Sequence, residues 1–150
     1  ISGASLTGLK AGTAGFAARA AAQWNSINIG DFLAFNDDSS GESFDTDSCY
    51  NTSTYKFTAP ATGVYMFWFA VYTAQNDASN GFGFKINNNS MNMQSEAGNF
   101  LTYNDSETVD HIQTATVVVG ISSGQTVGVV ALVASDYYGG HSQWGGCRLA

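Results

Sequence analysis

The sequence predicts an all-β sandwich of two antiparallel sheets, and three observations predict it. Eight or more short apolar segments recur at regular spacing, separated by Gly, Asn, Asp and Ser, the pattern of strands joined by turns. No segment repeats its apolar residues at the 3.6-residue period of an amphipathic helix. Finally, nine consecutive apolar or aromatic residues, Val64 to Tyr72, follow Gly63 and the only proline, Pro60. A strand with one face in water alternates apolar with polar residues. This one places Tyr65, Phe67, Phe69 and Val71 on one face and Val64, Met66, Trp68, Ala70 and Tyr72 on the other. Both faces need cover.

Residues 1–15 are small and rich in Gly, Ser and Thr, and read as an N-terminal arm ahead of one globular domain, 16–150. The segment Phe16-Ala-Ala-Arg-Ala-Ala-Ala-Gln-Trp24 favours helix by its alanines. It is short and lacks a preceding cap, so consistency with its surroundings makes it strand. Asp31 to Asn36 is a short apolar strand, followed by a polar loop and an acidic turn, Asp45-Thr-Asp-Ser48. Pro60 cannot donate to a ladder and ends one strand; Gly63 opens the next. Asn80-Gly81 is a turn signal before the half-exposed strand Phe82-Gly-Phe-Lys-Ile86. After polar stretches at 87–99 and 104–107, Val109 to Ile121 forms a long strand and Ser122-Ser-Gly-Gln125 a turn. Thr126 to Ala134 is again apolar on both faces, Ser135 to Gly140 is a loop carrying two tyrosines, and His141 to Ala150 is the terminal strand.

Composition narrows the function. The chain has 150 residues, 44% hydrophobic and 11% charged, with a net charge of −7. Its five cations, Lys10, Arg19, Lys56, Lys85 and Arg148, are dispersed along the sequence, with no basic stripe for nucleic acid. An acidic chain suits an anionic membrane equally badly, and the longest apolar run is half the ~20 residues needed for a spanning helix. Ile1 in place of Met is what a trimmed mature chain shows, and three sequons, at Asn51, Asn88 and Asn104, agree with a secreted, extracellular protein. Cys49 and Cys147 have no metal-ligand spacing. They form either one disulfide, the favoured reading, or two small buried thiols.

The segment Phe57-Thr-Ala-Pro60-Ala-Thr-Gly63-Val-Tyr65-Met-Phe67 resembles the core signature of the C1q domain family. Phe16-Ala-Ala-Arg19, Cys49-Tyr50-Asn51, Ser123-Gly124-Gln-Thr-Val127 and the closing Ser142-Gln-Trp144-Gly-Gly146-Cys-Arg-Leu149 resemble further family segments. Gln125, Trp144, Cys147 and Arg148 depart from the usual pattern, and no Gly-X-Y collagen tract is present. The resemblance implies a jelly roll of the C1q and tumour necrosis factor type assembled as a homotrimer. It also implies kinship with stalk-less mollusc C1q-domain lectins that bind sialic acid. In such trimers one sheet faces its neighbours, so the second face of Val64–Tyr72 becomes an aromatic seam drawing on Tyr65, Phe67, Trp68 and Phe69. The second face of Val127–Val133 takes the same explanation. Two doubly apolar strands call for a partner surface on their own account, with cover by loops or the arm as the alternative.

No catalytic constellation emerges. His111 and His141 are the only histidines and no Gly-x-Ser-x-Gly elbow accompanies them. The pairs Asp37-Asp38 and Asp45/Asp47 sit in turns, where Asp is a turn former. The expectation is a non-enzymatic protein with no required cofactor. Ca²⁺ is the one metal that the clusters Asn36-Asp37-Asp38, Asp45/Asp47, Asn76-Asp77 and Asn104-Asp105 would suit. A sugar site wants an aromatic face together with amides, hydroxyls or carboxylates. The stretch Asp136-Tyr137-Tyr138-Gly-Gly-His141-Ser142-Gln143 has that mixture, and Tyr103-Asn104-Asp105-Ser106 is a second candidate. The expected activity is multivalent glycan binding, sialylated glycans included, in innate pattern recognition. The alternative is an extracellular trimeric module that binds a protein partner. Few cations argue against tight binding of an anion at any one site; three copies offset that by avidity.

Overall fold

The structure, a computed structural model, describes residues 14–36, 44–73, 79–87, 89–90, 102–105 and 111–150. In chain order the strands are β1 (Gly15–Arg19), β2 (Trp24–Ile27), β3 (Phe44–Asp45), β4 (Tyr50–Asn51), β5 (Lys56–Thr58), β6 (Gly63–Thr73) and β7 (Ser79–Ile86). They continue with β8 (Asn89–Ser90), β9 (Thr102–Asp105), β10 (His111–Ile121), β11 (Thr126–Ala131), β12 (Ser135–Tyr138) and β13 (Gln143–Arg148). One sheet runs β2-β12-β6-β13-β1-β3, with β10 also paired to β6; the other runs β4-β5-β11-β7-β8, with β9 paired to β7. Every pairing is antiparallel. The expected two-sheet jelly roll is the observed architecture.

The alanine-rich segment begins as strand, as expected, and bends at 20–23 before β2: β1 lies on β13 with Phe16 opposite Gly146 and Arg19 opposite Gln143. Of the arm expected over 1–15, only Ala14 and Gly15 are described, and both are buried. Pro60 and Gly63 separate β5 from β6. Gly63 is the only tolerable residue there, because a Cβ would strike the Ala150 carbonyl where the C-terminus returns across it.

Three local expectations change. Asp31–Asn36 is not a strand but a single bridge, Phe32 to Val130, flanked by hydrogen bonds from Gly30 N to Ala131 O and Leu33 N to Val129 O. Asn80-Gly81 is no turn; it lies inside β7, opposite Asn104 and Tyr103 of β9. Long-range pairing overrides the local preference of Asn-Gly. Ser135–Gly140 is not an open loop either, since its first four residues form β12 and pair with β2.

The core is aromatic. β6 sends Tyr65, Phe67, Phe69 and Val71 inward, all buried. They meet Phe57, Phe84 and Trp144 at ring centroid separations of 5.1 to 6.5 Å, the range of favourable edge and tilted contacts. Phe16 completes the cluster, with its edge on Trp144 and its face on Tyr50. Tyr65, Phe67 and Phe69 therefore cannot form the expected intersubunit seam. Each is at most 1% exposed within a single chain, and the alternation of the strand leaves their neighbours to face outward. The second face of β11 is likewise closed within the chain: Gly128 and Val130 are buried, and Phe32 lies over Gly128. Loop cover, not a partner, completes that strand.

Candidate ligand-binding surface

The expected sugar-binding stretch divides sharply in the structure. β12 alternates, so Ser135 and Tyr137 face inward while Asp136 and Tyr138 face outward. A 3-10 turn, Gly139–His141, then leads to β13. The turn hugs the chain at 20–22. A Cβ on Gly139 would strike the Ala21 carbonyl, and one on Gly140 would lie 2.8 Å from the Tyr138 ring. Two glycines are what this approach requires.

Ser142 acts as a clamp rather than a ligand contact. It is fully buried; its Oγ donates to the Tyr138 carbonyl at 2.8 Å and accepts from the Tyr72 N–H at 3.0 Å. Tyr137 is also withdrawn, 1% exposed, with its hydroxyl accepting from the Ala34 N–H at 3.0 Å. Neither side chain is available to a ligand. Burial of Tyr137 raises its phenol above the ordinary range.

What the clamp positions is a cluster of four rings on the outer face of the first sheet. Tyr138 lies 5.4 Å from Trp24, 6.4 Å from Tyr72 and 5.1 Å from His141. Tyr72 closes the group at 6.1 Å from Trp24 and 5.4 Å from His141. Trp24 is 51% exposed and His141 is exposed as well. Polar groups fringe the rings. Gln23 and Asn25 bind each other through two hydrogen bonds of 3.0 Å, Gln143 is exposed, and Arg19 donates to the Gly140 carbonyl at 3.2 Å. Trp24 and Tyr72 were not among the expected site residues. The alternation of the apolar run already put Tyr72 on the outer face, but nothing local joins Trp24 to Tyr138; the β2–β12 register does. Tyr103 and Asn104 lie in β9 on the other sheet, so the structure does not unite the two expected patches.

The same face continues as a largely apolar patch, with the exposed Thr116 and Thr114 opposite Trp68 and Ala70. Trp68 lies over Gly145, where a Cβ would come within 3.0 Å of its ring. Val118 stands opposite Met66 and Gly120 opposite Val64; Val118 and Val64 are exposed. Of the four residues expected at a seam, only Trp68 reaches this face.

Cys49 and Cys147 are free thiols, which overturns the favoured disulfide. Cys147 sits on the outer face opposite Met66, whereas Cys49 is buried in the core. Cys49 is held by Asp45, whose Oδ1 accepts from both its N–H at 2.9 Å and its Sγ at 3.1 Å. Burial, reinforced by the hydrogen bond to Asp45 and its charge, pushes the Cys49 thiol up to about 12. The other Asp45 oxygen accepts from the Tyr50 N–H, so this carboxylate is committed to its own turn. Among the described residues no group of three His, Cys, Asp or Glu gathers at metal-binding distance. Residues 37–38 and 76–77 of the calcium candidates lie outside the described residues. His111 is held within 3.1 Å of the Thr73 hydroxyl and 3.4 Å of the Gln113 amide. Among the described residues no helix is long and apolar enough to cross a membrane.

Known proteins place the fold. The globular domain of zebrafish complement 1qA is similar over 91% of this chain and 98% of its own, at 16% identity and a TM-score of 0.67. Eiger TNF from S. frugiperda is similar over 92% of each chain, at 12% identity and 0.61. Rabbit GITRL is similar over 91% of this chain and 94% of its own, at 13% identity and 0.57. No curated protein sequence matches significantly. The C1q domain family model matches residues 15–144, and the chain belongs to the C1q domain family.

Proposed function

We propose that the protein is a secreted homotrimeric lectin, a pattern-recognition molecule that binds glycans, sialylated ones among them, through several weak sites at once. The observation that carries this reading is the outer-face cluster of exposed Trp24 and His141 with half-buried Tyr72 and Tyr138 and its fringe of amides. Exposed rings stack on the C–H face of a sugar, while Gln23, Asn25 and Gln143 supply donors and acceptors for its hydroxyls. Arg19 brings one of the few cations to the turn beside the rings. Trimerisation through the apolar half of the face, around Val64, Met66, Trp68 and Val118, would multiply weak contacts by avidity and bury what a lone chain exposes.

A glycan array probed with the purified assembly, with and without EDTA, tests the reading. Binding that free sugar competes away, and that Trp24→Ala or Tyr138→Ala weakens without loss of folding, is the expected result. EDTA leaves it unchanged if no calcium takes part. An array without signal at high avidity removes the lectin reading and leaves an extracellular interaction module for a protein partner.

A further inference from the structure

We infer that the outer face of the second sheet carries a separate site for an acidic sugar residue, whose carboxylate is held between Lys56 and Lys85. The inference rests on the glycan-binding reading and assigns that reading a charged subsite whose cleft reaches Asn25 at the edge of the ring cluster.

The register builds it. Phe57 faces Val127, which sets Lys56 beside Gly128, and Gly128 faces Lys85 directly. Lys56, Gly128 and Lys85 thus form one row across β5, β11 and β7, on the side opposite the buried Val127 and Val129. The missing side chain of Gly128 admits Phe32; a Cβ there would lie 2.6 Å from its ring. Lys56 Nζ stands 4.3 Å from the Phe32 ring centroid and Lys85 Nζ 5.6 Å. The two ammonium groups are therefore at most about 10 Å apart. Among the described residues neither has a carboxylate partner, in a chain with five cations against twelve acids. The ring offsets their mutual repulsion through its electron-rich face; an anion between them would do so far better.

The same ring borders a cleft of about 420 Å³, lined also by Asn25, Ser26, Asp31, Ser53, Thr54 and Tyr55, with the two lysines on the ring outside that lining, within the ~300–1,000 Å³ typical of small-ligand sites. Its rim is fixed in place. Asn51 Oδ1 accepts from the N–H groups of Ser53 and Thr54 at 2.8 and 3.0 Å, and Tyr55 is held at φ 60°, a left-handed conformation uncommon for a bulky residue. Hydroxyls and one carboxylate, Asp31, suit a polyol; the lysines suit its anionic substituent. That pairing suits an acidic sugar such as a uronate.

The test is an amide-shift NMR titration with glucuronate, glucose and glucose 6-sulfate on the full chain. Glucuronate should shift the amides of Phe32, Lys56, Lys85 and Gly128, and glucose should not. Lys56→Gln with Lys85→Gln should weaken glucuronate about tenfold or more, as expected for loss of charge-assisted hydrogen bonds. Lys56→Arg with Lys85→Arg should restore most of the binding, which separates charge from folding. Undiminished binding by the Gln variant, or glucuronate shifts confined to the Trp24–Tyr138 cluster, would overturn the site. Glucose 6-sulfate binding as well as glucuronate would overturn the carboxylate assignment. Trp24→Ala tells the two readings apart: it should lower array binding while leaving the glucuronate shifts at Lys85 intact.

Discussion

Val118 offers the sharpest test of assembly. It is 55% exposed, lies opposite Met66 on the outer face, and touches none of the ring cluster. Val118→Asp should cost the single chain little, up to about 1 kcal/mol for an exposed strand position. If the apolar half of the face is the seam of a trimer, the same substitution buries an unpaired carboxylate three times over. An uncompensated buried charge costs roughly 3–5 kcal/mol, so three copies cost on the order of 10 kcal/mol, or about seven decades of association constant. Light scattering reads the outcome directly. The wild type should weigh three times the 15.8 kDa chain, and Val118→Asp should weigh one, with a cooperative thermal transition retained. Ile29, 69% exposed outside this face, provides the control: Ile29→Asp should remain trimeric. A wild type of single-chain mass, or a Val118→Asp protein that still assembles, refutes the reasoning.

Three further outcomes follow from the core. In the Val118→Asp monomer a thiol reagent at pH 8 should modify Cys147 and spare Cys49, whose thiol is raised to about 12 by burial; two labelled thiols before denaturation would contradict this. Because that group holds its proton more tightly folded than unfolded, its contribution is intact below about 9 and is lost as pH climbs toward 12. Tyr50, also raised chiefly by burial, acts with the same sign, so melting temperature should fall across this window and not rise. Gly146→Ala would drive a Cβ into the Phe67 ring and to 2.8 Å from the Met66 carbonyl. Overpacking of this kind costs about 1–3 kcal/mol, a drop in Tm of about 2–12 °C for a chain of this length; an unchanged Tm would mean the sheet yields there.

Sequence alone determined most of the long strands, the two-sheet sandwich and the family resemblance, because each is written in local alternation and spacing. Phe57, Gly63, Tyr65 and Phe67 sit two or six residues apart, and a period of two sorts them by face without any knowledge of partners. Period two does not say which face is inward. Tertiary structure decided that Tyr65, Phe67 and Phe69 are core and that Met66, Trp68 and Tyr72 look outward, because Phe84 and Trp144 pack on one side only. It decided that Phe32 closes β11 and that Cys49 and Cys147 point to opposite sides of a sheet. It also assembled both candidate sites. Trp24 meets Tyr138, and Lys56 and Lys85 come to flank Gly128, through registers between segments far apart in the chain, and register is set by the packing of the whole sandwich. Within the expected stretch 136–143 the same logic applies: alternation within β12 hides Tyr137 and presents Tyr138.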